Sequence, residues 1–155
     1  MLQRIQSIYL LLASLALFAM FLFPLVHNFS ADGKAVTIMA TGVYQDTNGQ
    51  RTQIQAFMGT TIVTPIIAII PLVIIFLYKN RKQQIALCWS AIAVIAGYTF
   101  WLSQEAKSVL DGKQIDTHNW GIGLFIPSIA ILLILLAVRG IKADEKLIKS
   151  ADRLR

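Results

Sequence analysis

The chain has 155 residues, 56% of them apolar, and a mean hydropathy of +0.64. That is more oil than a soluble domain of this length can hide in one core, so part of it must face lipid. The formal charge of +6 is carried in short clusters between apolar runs, not as the basic face a nucleic-acid partner needs. A single cysteine, Cys88, excludes a disulfide within the chain.

In chain order, the first apolar run is residues 5–26, "IQSIYLLLASLALFAMFLFPLV". It exceeds the roughly 7–15 apolar residues of a signal peptide and no small-residue cleavage site follows, so it is read as a retained helix. An outer loop, residues 27–56, comes next. Val36, Ile38, Ala40 and Tyr44 alternate with polar residues before Asn48-Gly49, and Ile54 alternates with Gln53 and Gln55 after it. Period two around a turn dipeptide predicts a small β-hairpin.

The second run is residues 57–78. Prolines at 24, 65, 71 and 127 predict bends, because each deletes a backbone hydrogen bond. Thr60, Thr61 and Thr64 lie where they could satisfy carbonyls freed at Pro65. The turn "KNRKQQ" then leads to residues 85–103, where Ser90, Ala93 and Gly97 form a small-residue stripe suited to close helix packing. A second outer loop, residues 104–119, connects to the fourth run, residues 120–138. None of the four runs contains Asp, Glu, Lys, Arg or His, and each approaches the 20 or so residues a helix needs to cross hydrocarbon.

The tail, residues 139–155, changes character abruptly. "RGIKADEKLIKSADRLR" holds nine charged residues, yet Ile141, Leu147, Ile148, Ala151 and Leu154 recur at near-helical spacing. Gly140 offers a turn just after the last span, so the tail either lies on the membrane surface or extends helix four. The expected fold is an all-α membrane protein of one domain, 1–155. It is an antiparallel bundle of four transmembrane helices with a small β-hairpin in the first outer loop and an amphipathic C-terminal helix.

With four crossings, ten of the fourteen Lys and Arg residues fall on the side that holds both termini. The positive-inside rule makes that side cytoplasmic. Tyr78 and Trp89 then fall near the inner interface, and Tyr98, Trp101 and Trp120 near the outer one. Lys79, Arg81, Lys82, Arg139, Lys142, Lys146 and Lys149 are placed to meet anionic headgroups at the inner face.

The start "MLQRIQSIYLLLA", the turn "YKNRKQQIALC" and the end "RGIKADEKLIKSADRLR" together resemble an uncharacterised family of small four-helix inner-membrane proteins of Gram-negative bacteria, known as a domain of unknown function. The resemblance covers essentially the whole chain and implies a bacterial inner-membrane protein with no catalytic residues to carry over. The topology is also similar to that of claudin-like proteins, with "TGVY" where those have Gly-Leu-Trp, but the cysteine pair of the claudin loop is missing.

No metal-ligand spacing, phosphate loop or nucleophile elbow is present, so no cofactor and no catalytic residue is expected. The leading expectation is a non-enzymatic accessory subunit or scaffold that binds other inner-membrane proteins. Its contact residues would be Val36, Ile38, Tyr44 and Ile54 on the hairpin and Ile141, Leu147, Ile148 and Leu154 on the tail. A small transporter or channel built as a homo-oligomer is the alternative; against it, no charged residue lies within a span. A third reading is an outer-face enzyme acting on lipid or quinone through Glu105, Asp116 and His118, with His27 nearby. The bland account of that cluster is a polar cap where helices meet water.

Overall fold

A computed structural model describes residues 3–31, 34–47, 50–78, 80–110 and 119–152. Among these residues are four helices, with one sheet between the first two: α1 Gln3–Ala19, β1 Val26–Ala31, β2 Lys34–Met39, β3 Gly42–Thr47, β4 Gln50–Ala56, α2 Met58–Phe76, α3 Arg81–Leu110 and α4 Ile126–Asp152. A 3-10 turn, Ile122–Leu124, introduces α4.

The helices pack in a closed ring, α1 against α2, α2 against α3, α3 against α4, and α4 most extensively against α1. Neighbours run antiparallel, as short connections dictate. The α1–α4 seam is built from small and medium side chains at helical spacing. Leu10, Ala13, Ser14 and Leu17 on α1 and Ile126, Ala130, Ile134, Ala137 and Ile141 on α4 are all buried. Small residues let backbones approach closely, which matters where lipid and side chain are equally apolar. Hydrogen bonds link three of the four interfaces. The Ser14 hydroxyl donates to the Ala68 carbonyl at 2.6 Å, Thr64 and Tyr98 share a hydroxyl–hydroxyl bond between α2 and α3, and Gln6 Nε2 donates to Asp144 Oδ2 at 2.5 Å.

Around this core lies a belt of exposed oil. On α2 alone Met58, Ile62, Ile66, Ile69, Val73 and Phe76 form an exposed apolar stripe. Leu11, Leu12 and Leu15 continue the belt on α1, Val94 and Phe100 on α3, and Ile129 and Leu132 on α4. Patches this extensive do not persist in water. Three helices, Met58–Phe76, Arg81–Leu110 and the stretch Ile122–Lys146, are long and apolar enough to cross a membrane. α1, at 17 residues, is shorter than the other three.

Several expected boundaries move. The first helix stops at Ala19 instead of running to 26. Tight turns, Met20 N to Leu17 O and Leu22 N to Ala19 O, close it ahead of Pro24, which disfavours helix in the residue before it. α3 continues to Leu110, so the first half of the second outer loop is helical; Leu102, Ala106 and Leu110 extend the buried stripe of Cys88, Ala91, Ile95 and Tyr98. Tyr98 is thus a core residue, not an interfacial anchor. The packed face of α3 is also not the one marked by small residues. Ser90, Ala93 and Gly97 are exposed, with nothing within 4 Å of where a Gly97 Cβ would stand. Pro127 is the second residue of α4, where no helical hydrogen bond is lost. The Thr61 and Thr64 hydroxyls bond to the Phe57 and Thr60 carbonyls, not to the Thr61 carbonyl that Pro65 frees.

The tail is the extension of helix four. α4 passes through Gly140 without a break, and the glycine makes room for Gln6, whose Cγ would lie 2.9 Å from a Cβ there.

The expected hairpin exists, but as half of a larger sheet. β3 and β4 pair antiparallel with Asp46 opposite Arg51, and β1 and β2 add two more strands to give the order β1-β2-β3-β4. The Asn48-Gly49 turn lies outside the described residues. Gly42, where β2 turns into β3, has φ +147°, and a Cβ would meet the Gln55 carbonyl at 2.2 Å, so no other residue fits. Val26, Val36, Ile38 and Val43 bury one face of the sheet over the helix ends. Each such aliphatic contributes about 1.5–3 kcal/mol, which two free strands in water would lack.

Candidate functional site

The two ends of the bundle differ in kind. One carries the sheet; the other gathers Gln6, Tyr78, Arg81, Gln84 and Asp144.

At the sheet end, the two edges of the sheet are unequal. β1 is tied down: Val26 bridges to Trp120, Gly121 N donates to Leu25 O at 2.8 Å, and Gly123 N donates to Pro24 O at 3.0 Å. β4 is the last strand at the other edge, and every residue from Gln50 to Ala56 is exposed. An edge strand carries a row of backbone donors and acceptors with no strand beside it. Its only charge is Arg51. Of the expected contact residues here, Ile54 is 57% exposed on this strand. Tyr44 is half-buried, its hydroxyl 2.9 Å from the Thr41 hydroxyl. Val36 and Ile38 are core residues and offer no surface, because their alternation marks the face turned toward the helices.

A cavity of about 420 Å³ is lined among others by His27, Arg51, Thr37 and Met39, the last two alternating with Val36 and Ile38 and so on the opposite face of β2. The buried Nδ1 of His27 has no hydrogen-bond partner. Glu105 is elsewhere, accepting a bond from Trp101 Nε1 at 3.2 Å one turn away on α3. Asp116 and His118 lie outside the described residues, and among those described no three His, Cys, Asp or Glu side chains come together as metal ligands.

At the opposite end, the buried stripes of α1 and α4 finish in polar side chains. Asp144 follows Ile134, Ala137 and Ile141 on the packed face of α4 and is only 7% exposed. Gln6 stands one turn before Leu10 on α1 and supplies its hydrogen bond. Ile141, expected to contact a partner from the tail, is instead buried in this seam. Leu147, Ile148 and Lys149 lie on the last turns of the α4 backbone, and Leu154 lies outside the described residues.

Beside the Gln6–Asp144 pair, between α1 and the turn joining α2 to α3, is a cavity of about 620 Å³. Its apolar wall is Ile8, Ile75 and Phe76, and its polar wall is Gln6, Ser7, Tyr78, Arg81 and Gln84. Asn80 starts α3 by capping it, its Oδ1 accepting from Gln83 N at 3.4 Å and its backbone carbonyl from Gln84 N at 2.9 Å, and Arg81 and Gln84 fall on the cavity side. The Gln84 amide donates to Ile74 O at 3.3 Å, whereas Arg81 Nη1 is buried without a hydrogen-bond partner.

Of the other expected basic residues, Lys82, Arg139, Lys142 and Lys146 are exposed, and Lys79 lies outside the described residues. Arg139 and Lys142 rim a third cavity, of about 430 Å³, with Trp89 and Leu132 against it. The sequence reading missed Gln6 and Asp144. The signal was present, since Asp144 falls on the same helical register as Ile134, Ala137 and Ile141.

Comparison with curated proteins finds no match. Residues 2–154 match the family described as a domain of unknown function, DUF4293, and the chain belongs to that family.

Proposed function

We propose that this protein is a multi-pass protein of the bacterial inner membrane, with both termini in the cytoplasm, that serves as a non-enzymatic accessory subunit for other membrane proteins. The exposed apolar belt supports the membrane part of this reading, and the crowding of cations at the end opposite the sheet supports the orientation.

The observation that carries the subunit role is the open β4 edge. A seven-residue strand exposed along its whole length, beside a sheet whose other edge is tied to Trp120, is a template for one more strand. Its partner is an extended segment of a neighbouring membrane protein on the same side of the bilayer. Backbone hydrogen bonds would give affinity, and Ile54 would give an apolar contact.

Mild-detergent purification of the full chain with quantitative mass spectrometry tests this. The unaltered protein is expected to bring down a reproducible partner, and Ile54→Lys, which puts a charge on the edge, to reduce its recovery about tenfold. Recovery of the protein alone in repeated preparations sinks the subunit role. Recovery as a dimer of this chain through β4 replaces the partner with a second copy.

A further inference from the structure

We propose that the cavity between α1 and the α2–α3 turn is a binding site for the phosphate of one membrane phospholipid, with Arg81 as its ligand. The inference rests on a mismatch inside this cavity and is independent of the sheet edge.

A guanidinium carries five donors and no acceptor, and it cannot shed its charge in a protein. Arg81 Nη1 is buried and unpartnered, so the fold has removed that donor from water without giving it anything in return. A buried donor left unsatisfied is costly unless a further group completes it. The neighbouring polar groups do not serve. The Gln6 and Gln84 amides line the same cavity, but neither side-chain oxygen accepts from Arg81 Nη1, and both NH2 groups are turned to other acceptors, Asp144 and the Ile74 carbonyl. The missing group is therefore an acceptor, best an anion, arriving from the cavity.

The shape says which kind. The cavity is not sealed: Ile8 and Phe76 on its wall are exposed, Phe76 by 78%, on the same lipid-facing belt as the rest of α1 and α2. A molecule there has one end against Arg81, Gln84 and Tyr78 and the other along Ile8, Ile75 and Phe76. That is the polarity of a phospholipid lying at the border of hydrocarbon and headgroup. A volume of about 620 Å³ suits a headgroup and the first carbons of a chain, within the range of about 300–1,000 Å³ for small-molecule pockets. Arginine matches a phosphate with paired N–H bonds, and Tyr78 is the amphipathic side chain expected at that depth.

The test is native mass spectrometry of the delipidated full chain, titrated with phosphatidylglycerol, with diacylglycerol and with glycerol 3-phosphate. Phosphatidylglycerol is expected to bind one per chain, and the other two at least tenfold more weakly, since one lacks the phosphate and the other the chains. Arg81→Gln should weaken phosphatidylglycerol about tenfold, whereas Lys107→Gln, which removes an equal charge from an exposed position at the other end of the same helix, should leave it unchanged. Ile8→Trp fills the apolar wall without touching the charge and should weaken it as well, which keeps the test open should Arg81→Gln fail to fold.

Undiminished binding in Arg81→Gln, or in Ile8→Trp where Arg81→Gln does not fold, overturns the proposal. So does an equal loss in Lys107→Gln, which would mean diffuse attraction. Glycerol 3-phosphate binding as tightly as the lipid would make the ligand a free phosphate, and diacylglycerol doing so would make the cavity an acyl-chain groove.

Discussion

Asp144 is an acid placed where the register of α4 calls for an apolar residue. Its position, one turn beyond Ile141 and against α1, leaves its carboxyl dependent on what α1 offers, and α1 offers Gln6. Interhelical bonds of this sort are modest, because the separated helices also find partners. Removing one member alone is a different matter, since it strands the other. Gln6→Leu is therefore expected to destabilise the protein by about 1–3 kcal/mol, and Gln6→Leu with Asp144→Leu to recover most of that loss. Thermal unfolding in detergent of the two single variants and the double measures it. Additive losses would mean that the two side chains do not act as a pair.

At the scale of the elements, the sequence was most legible where periodicity ran on without interruption. The second apolar run became α2 within two residues at either end and the fourth became the 3-10 turn and the first half of α4, whereas the alternation before Asn48-Gly49 runs across two strands, with Val36 and Ile38 on β2 and Tyr44 on β3. It was least legible where a local signal had a tertiary answer. Gly140 after an apolar run is a helix-stop pattern, yet α4 continues, because the missing side chain is the space that Gln6 occupies. Ser90, Ala93 and Gly97 have the composition of a packing stripe, but larger buried residues, Ile95 and Leu102, define the packed face. β1 was missed because "VHNFSA" is too polar to alternate; it becomes a strand by pairing with β2, with Ala31 opposite Lys34. The continuity of α4 makes a prediction. In a chain with Cys88→Ala, single cysteines through 139–146 are expected to react with maleimide at Arg139, Lys142, Ala143 and Lys146, and to resist at Ile141 and Asp144. Uniform reaction would place this stretch away from the bundle.

The whole molecule poses one question that no single element answers, whether α1 crosses the membrane with the rest. Its 17 residues span about 25 Å, short of a hydrocarbon core of about 30 Å. Length alone would leave it doubtful, but packing argues otherwise. At one end Gln6 meets Asp144 near the far end of α4; at the other Pro24 and Leu25 accept bonds from Gly123 and Gly121 just before α4 begins. α1 therefore runs the apolar length of α4, its shortfall made up by the turns from Met20 to Phe23, and any remaining mismatch costs only a fraction of a kcal/mol per Å. If α4 crosses, so does α1. With the proposed orientation, an N-terminal tag and a cysteine at Lys146 are expected to become accessible only after the membrane is permeabilised, while a cysteine at Asp46, exposed on β3, reacts from outside. Finding the tag on the same side as Asp46 would reduce α1 to a helix lying within one leaflet. Finding Asp46 and Lys146 together would reject the antiparallel crossing altogether, since the sheet and the α4 tail occupy opposite ends of the same bundle.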